Sequence, residues 1–282
     1  MVHESRWILI NMAIETYIVD AFTDEPLKGN PAGVCLLEND DFTEDKMLAI
    51  AGELGLSETA FLRPTGHPNK YSIRFFSPKM EIPLCGHATL ASAKVLFEKE
   101  ANVNNLHFVT IQNLDLVVTR EGDMINMEFP VYATHPAEAP ITLLESLGIT
   151  SIANSVYNAE TNILLLEIKD CQVLQNLNPD FESLYRSHDS INGVLVTARS
   201  NKPDFDFESR YFWPWSGTNE DPVTGGTHTF LTSYWSEKLN KTKMRSFQCS
   251  QRTGFMELEL VGEDRLIIKG DARIVFEGRL NI

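Results

Sequence analysis

Positive charge is scarce in this chain. Only 24 lysines and arginines stand against 39 acidic residues among 282, a net charge of −15 at neutral pH. That balance works against phosphate backbones and anionic headgroups, which excludes nucleic acid and acidic membranes as partners. Cysteine is also sparse: Cys35, Cys85, Cys171 and Cys249 lie far apart with no C-x-x-C pair. Neither a zinc site nor a disulfide framework is indicated, and a reducing, cytoplasmic home is expected. His67, His107, His135, His188 and His228 show no H-E-x-x-H or similar ligand spacing, so no metal is expected. The glycines form neither a P-loop nor a G-x-G-x-x-G turn, so no nucleotide and no other cofactor is expected. Long apolar runs are missing as well. Trp7 to Ile10 is too short for a signal core or a membrane span, and the run from Ile163 to Leu166 is closed by Glu167; no targeting segment is read.

What is present is the composition of a globular protein, 43% hydrophobic and 22% charged, long enough for two ordinary domains. Residues 16–22 (TYIVDAF) read as a strand, the turn-rich 23–31 (TDEPLKGNP) ends it, and 34–37 resume as a second strand, which makes a hairpin. Asn30 precedes Pro31 in that loop and is restricted to extended backbone; locally it reads as a turn amide. Residues 43–54 have helical spacing, with Thr43 as cap, Met47, Ile50, Ala51 and Leu54 on one face, and Gly55 as the stop. Glu58 opens the strand that follows (SETAFL), and on local sequence its carboxylate faces solvent. The strand 71–78 (YSIRFFSP) leads into 83–94 (PLCGHATLASAK), which reads as strand, tight turn and helix start. Backbone N–H groups at such a turn, with a helix N-terminus behind it, favour negative charge. Strands are expected again at 106–111, 114–119 and 124–129, and Pro130, Pro136 and Pro140 mark a linker.

The second part of the chain repeats this grammar. R-F-F-S-P at 74–78 returns as R-Y-F-W-P at 210–214, and the turn Pro83-Leu84-Cys85-Gly86 returns as Pro222-Val223-Thr224-Gly225. Each turn is followed by a helical pattern, with Leu90, Ala93, Leu96 and Phe97 in one copy and Phe230, Leu231, Tyr234 and Trp235 in the other. The later copy carries a longer loop between its two sub-motifs. Two facing copies would set their glycine turns and positive helix ends on opposite sides of one cleft, suited to a small carboxylate or the enolate formed from it. Asp221 stands at the mouth of the second turn, where locally it reads as a turn or cap residue.

Four stretches in order, VDAFTDEPLKGNPAGV, LSETAF, RFFSPKMEIPLCGHATLASA and EDPVTGGTHTFLTSYW, resemble the phenazine-biosynthesis PhzF-like isomerase family. Within it they are most similar to the eukaryotic phenazine-biosynthesis-like, or MAWD-binding, proteins. The resemblance covers nearly the whole chain from Met12 and implies an α+β, duplicated diaminopimelate-epimerase-like fold. Each half would be a curved, mostly antiparallel sheet around a central helix, one beginning near His87 and one near Thr227. Residues 1–127 would form the first half, with 1–11 as an extension, and 128–271 the second, the strand at about 272–282 returning to the first.

The implied activity is a cofactor-independent isomerase acting on a small anionic metabolite in the interdomain cleft. Glu58 would be the acid-base catalyst, its pKa raised by burial, with His87 and Asp221 orienting substrate or relaying protons. Asn30, Ser57, Cys85 and Gly86 would line the site from the first half, and Thr224, Gly225 and Gly226 from the second. The family commonly has Ser where this chain has Gly226, which removes a hydroxyl. Epimerases of this fold use two facing cysteines; Cys85 has no thiol counterpart at 224–227, so two-cysteine chemistry is not expected. Cys249 and Gln251 fall where the family sometimes contacts ligand. The resemblance further implies a homodimer and, as the competing function, a binding protein for a WD-repeat partner.

Overall fold

A computed structural model describes residues 13–38 and 42–282. The extension expected at 1–11 lies outside the described residues.

The first copy runs β1 (Ala13–Ala21), β2 (Asn30–Leu36), α1 (Glu44–Leu54), β3 (Glu58–Pro64), β4 (Lys70–Phe76) and β5 (Glu81–Ile82). It continues through α2 (Gly86–Lys99), β6 (Asn105–Val109), β7 (Asp115–Glu121), β8 (Met124–Pro130) and the short β9 (His135–Pro136). After α3 (Ile141–Leu147), the second copy runs β10 (Asn154–Asn158), β11 (Ile163–Glu167), α4 (Cys171–Gln175), α5 (Phe181–Arg186), β12 (Gly193–Arg199) and β13 (Phe207–Trp213). It closes with β14 (Thr218–Asp221), α6 (His228–Leu239), β15 (Lys243–Gln248), β16 (Gly254–Val261), β17 (Arg265–Gly270) and β18 (Ala272–Asn281).

Pairing repeats with the sequence. In the first copy β2–β3 and β4–β6 are parallel; in the second β11–β12 and β13–β15 are. Every other pairing is antiparallel, as hairpin-rich sheets require. The copies are joined by β8 against β17. They also exchange ends: β9 pairs with β10, and β18 runs along the whole of β1, from Ala13 opposite Asn281 to Ala21 opposite Ala272.

Several expected local signals have physical counterparts. Thr43 caps α1 by accepting from the Lys46 N–H, and Gly55 ends the helix in the left-handed region at φ 64°. The arginines of the repeated R-F-F and R-Y-F motifs do the same work twice. Arg74 holds Glu81 at 2.7 and 2.6 Å and lies 5.1 Å from the Phe76 ring. Arg210 holds Glu220 at 2.7 and 2.8 Å and lies 5.0 Å from the Phe212 ring. The longer second loop is a 3₁₀ turn, Pro214–Ser216, closed by Gly217 at φ 98°.

The central helices differ from ordinary amphipathic ones. The pattern of four apolar positions predicts one buried face on α2. Instead ten of its residues, from His87 to Phe97, are buried, because β1, β2, β3, β7, β8 and β18 all pack around it. Ala88, Ala91, Ser92 and Ala93 make this possible, since small side chains let strands approach on sides where a polar surface would otherwise be needed. In α6 the buried set runs from His228 to Trp235. Both helices therefore start inside the molecule, the residues before them, Cys85 and Thr227, being buried.

Candidate active site

The loop between β1 and β2 is set by Gly29. At φ 65°, a Cβ there would fall 2.2 Å from the Ala21 carbonyl oxygen, so no other residue fits without moving backbone. Its N–H donates to the Thr253 carbonyl at 2.7 Å, and Arg252 grips the same loop through the Gly29 and Lys28 carbonyls at 3.0 and 2.9 Å. Arg252 is held in turn by Asp20 at 2.7 Å. The turn between β15 and β16 of the second copy thus fixes the residue that follows Gly29, which is Asn30.

Asn30 is completely buried and does more than the turn amide its local sequence describes. Its Nδ2 donates to Asp221 Oδ1 and to the Val223 carbonyl, both at 2.9 Å, and stands 3.4 Å from His87 Nδ1. One amide therefore touches the turn of each copy. His87, in the first turn of α2, places Nε2 3.1 Å from Glu58 Oε2. The side chains of this pair are only 10% and 12% exposed, so the solvent-facing position read locally for Glu58 is replaced by an enclosed one. The reason is the parallel pairing of β2 with β3, which sets Glu58 opposite Ala32, two residues from Asn30.

Electrostatics set the two carboxylates apart, and the one expected to be raised is not. Burial pushes Glu58 up, but the hydrogen bond and charge of His87, with the Ser57 hydroxyl, outweigh it and leave the pKa below the ordinary value. The expectation of a raised Glu58 is therefore corrected: the imidazole supplies a partner that burial alone lacks. For His87, burial opposes the charge, yet the Cys85 sulfur and Glu58 carboxylate overcome this and raise its pKa well above the usual histidine range. Asp221 is the carboxylate with the raised pKa. Burial lifts it to about 6, against the opposing His87 charge and the Thr224 and Asn30 hydrogen bonds, with the Glu58 charge adding to the rise. Two carboxyl groups with pKa values driven apart are the arrangement in which one serves as base and the other as acid.

Cys85 is buried at the N-cap of α2, with Sγ 3.4 Å from His87 Nδ1, and burial raises its pKa. It lies against the imidazole without a facing thiol in the second turn. Glu58, Cys85 and His87 nevertheless bring a carboxylate oxygen, a sulfur and a ring nitrogen within 4.8 Å of one another, a convergence invisible in sequence spacing.

On the second copy, the Thr224 hydroxyl donates to Asp221 Oδ2. Gln248 buttresses this turn: its Nε2 donates to the Asp221 carbonyl at 2.7 Å and its Oε1 accepts the Thr224 N–H at 2.8 Å. His228, with its pKa lowered to about 4 by burial, stays neutral between the Thr224 carbonyl at 3.0 Å and the Ser246 hydroxyl at 2.9 Å. Gln248, His228 and Arg252 carry no sequence signal. Cys249 does not reach the site; its Sγ lies 3.6 Å from the Ser209 carbonyl and packs in the second copy's core. A Cβ on Gly225 would press on Phe22 at 3.1 Å, whereas one on Gly226 would meet nothing within 4 Å.

A cavity of about 670 Å³ borders the glycine turn of the first copy, against Leu84, Gly86 and Thr89, with Leu116, Met127 and Phe129 as walls. Neither the Glu58–His87 pair nor Asp221 lines it. The chemistry, not the roomier space, marks the candidate site.

The profile of the phenazine biosynthesis-like protein family matches residues 19–278. The chain belongs to this family. It is 42% identical to a phenazine biosynthesis-like domain-containing protein of Bos taurus, over 95% of this chain and 99% of that one. It is 41% identical to an uncharacterized isomerase of Pseudomonas aeruginosa, over 96% of this chain and all of that one. The crystal structure of a PhzF family protein from Enterococcus faecalis superposes with a TM-score of 0.89 at 38% identity, covering 96% of this chain and all of that one. The architecture is accordingly the PhzF and diaminopimelate-epimerase-like fold, α+β and duplicated. Among the described residues no helix is long and apolar enough to cross a membrane.

Proposed function

We propose that this member of the phenazine biosynthesis-like family is a cofactor-independent isomerase of a small carboxylate-bearing metabolite. The observation that carries the reading is the buried Glu58–His87 pair, 3.1 Å apart, facing a protonatable Asp221 through Asn30. Glu58, ionised, takes a proton from carbon activated by the neighbouring carboxylate of the substrate and returns it at another position. The imidazolium of His87 stabilises the negative charge that appears when that proton leaves. Asp221, with a pKa of about 6, supplies or accepts a second proton near neutral pH. The enclosed position strengthens each of these interactions by excluding water.

The test is deuterium washout from candidate acids in D₂O, with the wild type and Glu58→Gln compared. Equal exchange in both removes Glu58 from the mechanism. A second reading, a binding protein of low turnover for a WD-repeat partner, is favoured by Gly226, which presents no hydroxyl to a site with open space at its Cβ position. Capture of such a partner, with no exchange from any acid and no thermal shift, would select it. On either reading the chain is proposed to act as a cytoplasmic homodimer.

A further inference from the structure

We propose that the outer edge of β18 is the homodimer surface, two copies pairing their β18 strands antiparallel about a two-fold axis at Gly278. β18 bonds to β1 along one edge only. Its other edge has no strand beside it among the described residues: β2 is filled by β1 and β3, and β17 by β16 and β8. A ten-residue strand with a free edge presents N–H and C=O groups that a second strand can pair with.

The sequence of this edge is its own complement. Glu277 and Arg279 lie at equal distances either side of Gly278, and so do Phe276 and Leu280. Antiparallel pairing centred on Gly278 therefore sets Glu277 of each copy against the partner's Arg279, and Phe276 against the partner's Leu280. Side chains alternate along a strand, so the two ion pairs fall on one face of the joined sheet and the two apolar pairs on the other. Glu277 and Arg279 are exposed, and neither makes a side-chain hydrogen bond or ion pair among the described residues. Phe276 is 48% exposed, an unusual state for a phenylalanine in a strand, and a partner strand would cover it. Its ring lies over Gly278, 2.6 Å from where a Cβ would stand. A glycine at the axis lets two backbones meet without side chains between them. The register with β1 slips at Val275, between Ile18 and Val19, and such a bulge ends regular pairing on that side. A contact this short lies below the standard interface size, so the dimer is weak, with a dissociation constant on the order of micromolar. The inference names the surface for the homodimer proposed above and is independent of the isomerase reading.

The experiment is sedimentation velocity of the full-length chain over a concentration series. Glu277→Arg sets arginine against the partner's Arg279, and Arg279→Glu sets glutamate against the partner's Glu277. Each should weaken the dimer about 10-fold or more. The double variant Glu277→Arg/Arg279→Glu, which has the composition of the wild type, should dimerise as the wild type does, and so should an equal mixture of the two single variants. Phe276→Asp should weaken the dimer about 100-fold or more, with circular dichroism showing a folded chain. Should Phe276→Asp fail to fold, the charge swaps and their rescue decide alone. A wild type that stays monomeric far above micromolar concentration would overturn the surface and the homodimer together. A dimer that both single swaps leave intact would overturn the surface and leave the homodimer standing. Weakening without recovery in the double variant and the mixture would overturn the pairing about Gly278. Assembly beyond the dimer would overturn it as well, because a two-fold contact closes at two copies.

Discussion

Asn30 Nδ2 donates to Asp221 Oδ1 at 2.9 Å across 191 positions of chain. This bond joins the first loop of one copy to the glycine turn of the other, and the same amide lies against His87. It brings together two carboxyl groups whose pKa values are driven apart, Glu58 of one copy and Asp221 of the other.

Glu58→Gln keeps the shape of the side chain and removes its charge. Isotope exchange should fall by about 10² to 10⁴. Thermal denaturation run alongside should show a folded protein, since a glutamine oxygen still meets the His87 N–H.

Asp221 carries a raised pKa of about 6, so its ionised form is the one burial disfavours. An acid raised in the folded state loses stability for the protein as pH rises from the unfolded value near 4 through about 6. Asp221→Asn should therefore match the wild type near pH 4 and exceed it by roughly 1–3 kcal/mol at pH 8, measured by denaturant unfolding. The exchange rate of the wild type should bend near pH 6, and that of Asp221→Asn should not. His87 and Glu58 both bear on this group, so the bend would also move if either of them were changed.

Gly226→Ser restores the hydroxyl common in the family. The Cβ position is open, so stability should change by no more than about 0.5 kcal/mol. Exchange should accelerate. A strongly destabilised or slower variant would show that the hydroxyl has no place in this site.

Arg252→Ala cuts the clamp on the loop before Asn30. It strands Asp20, whose side chain is 2% exposed, and should cost about 2–4 kcal/mol by denaturant unfolding. Adding Asp20→Asn should recover part of that loss. The loop itself stays ungripped, so the exchange rate of the double variant should remain low.

Much of this architecture was legible locally. The Thr43 cap, the Gly55 stop, the first hairpin and the paired R-F-F and R-Y-F motifs all depend on neighbours a few residues away, and side chains at such range act alike in many contexts. The resemblance of four ordered stretches placed Glu58, His87 and Asp221 in one site. The errors share a cause. Asn30 and Asp221 read as turn residues and Glu58 as a surface acid, because their burial comes from strands distant in sequence.

By itself, then, the sequence determined a duplicated α+β chain, the residue types of the cleft and the family to which they belong. Tertiary structure alone decided that Asp221, rather than Glu58, carries the raised pKa, that Gln248, His228 and Arg252 support the site, and that Cys85 joins Glu58 and His87 in one cluster. Burial and charge pairing are sums over neighbours from every direction. The one-dimensional order contains only two of those neighbours; parallel β2–β3 pairing, the enclosure of α2 and the Arg252 clamp supply the rest.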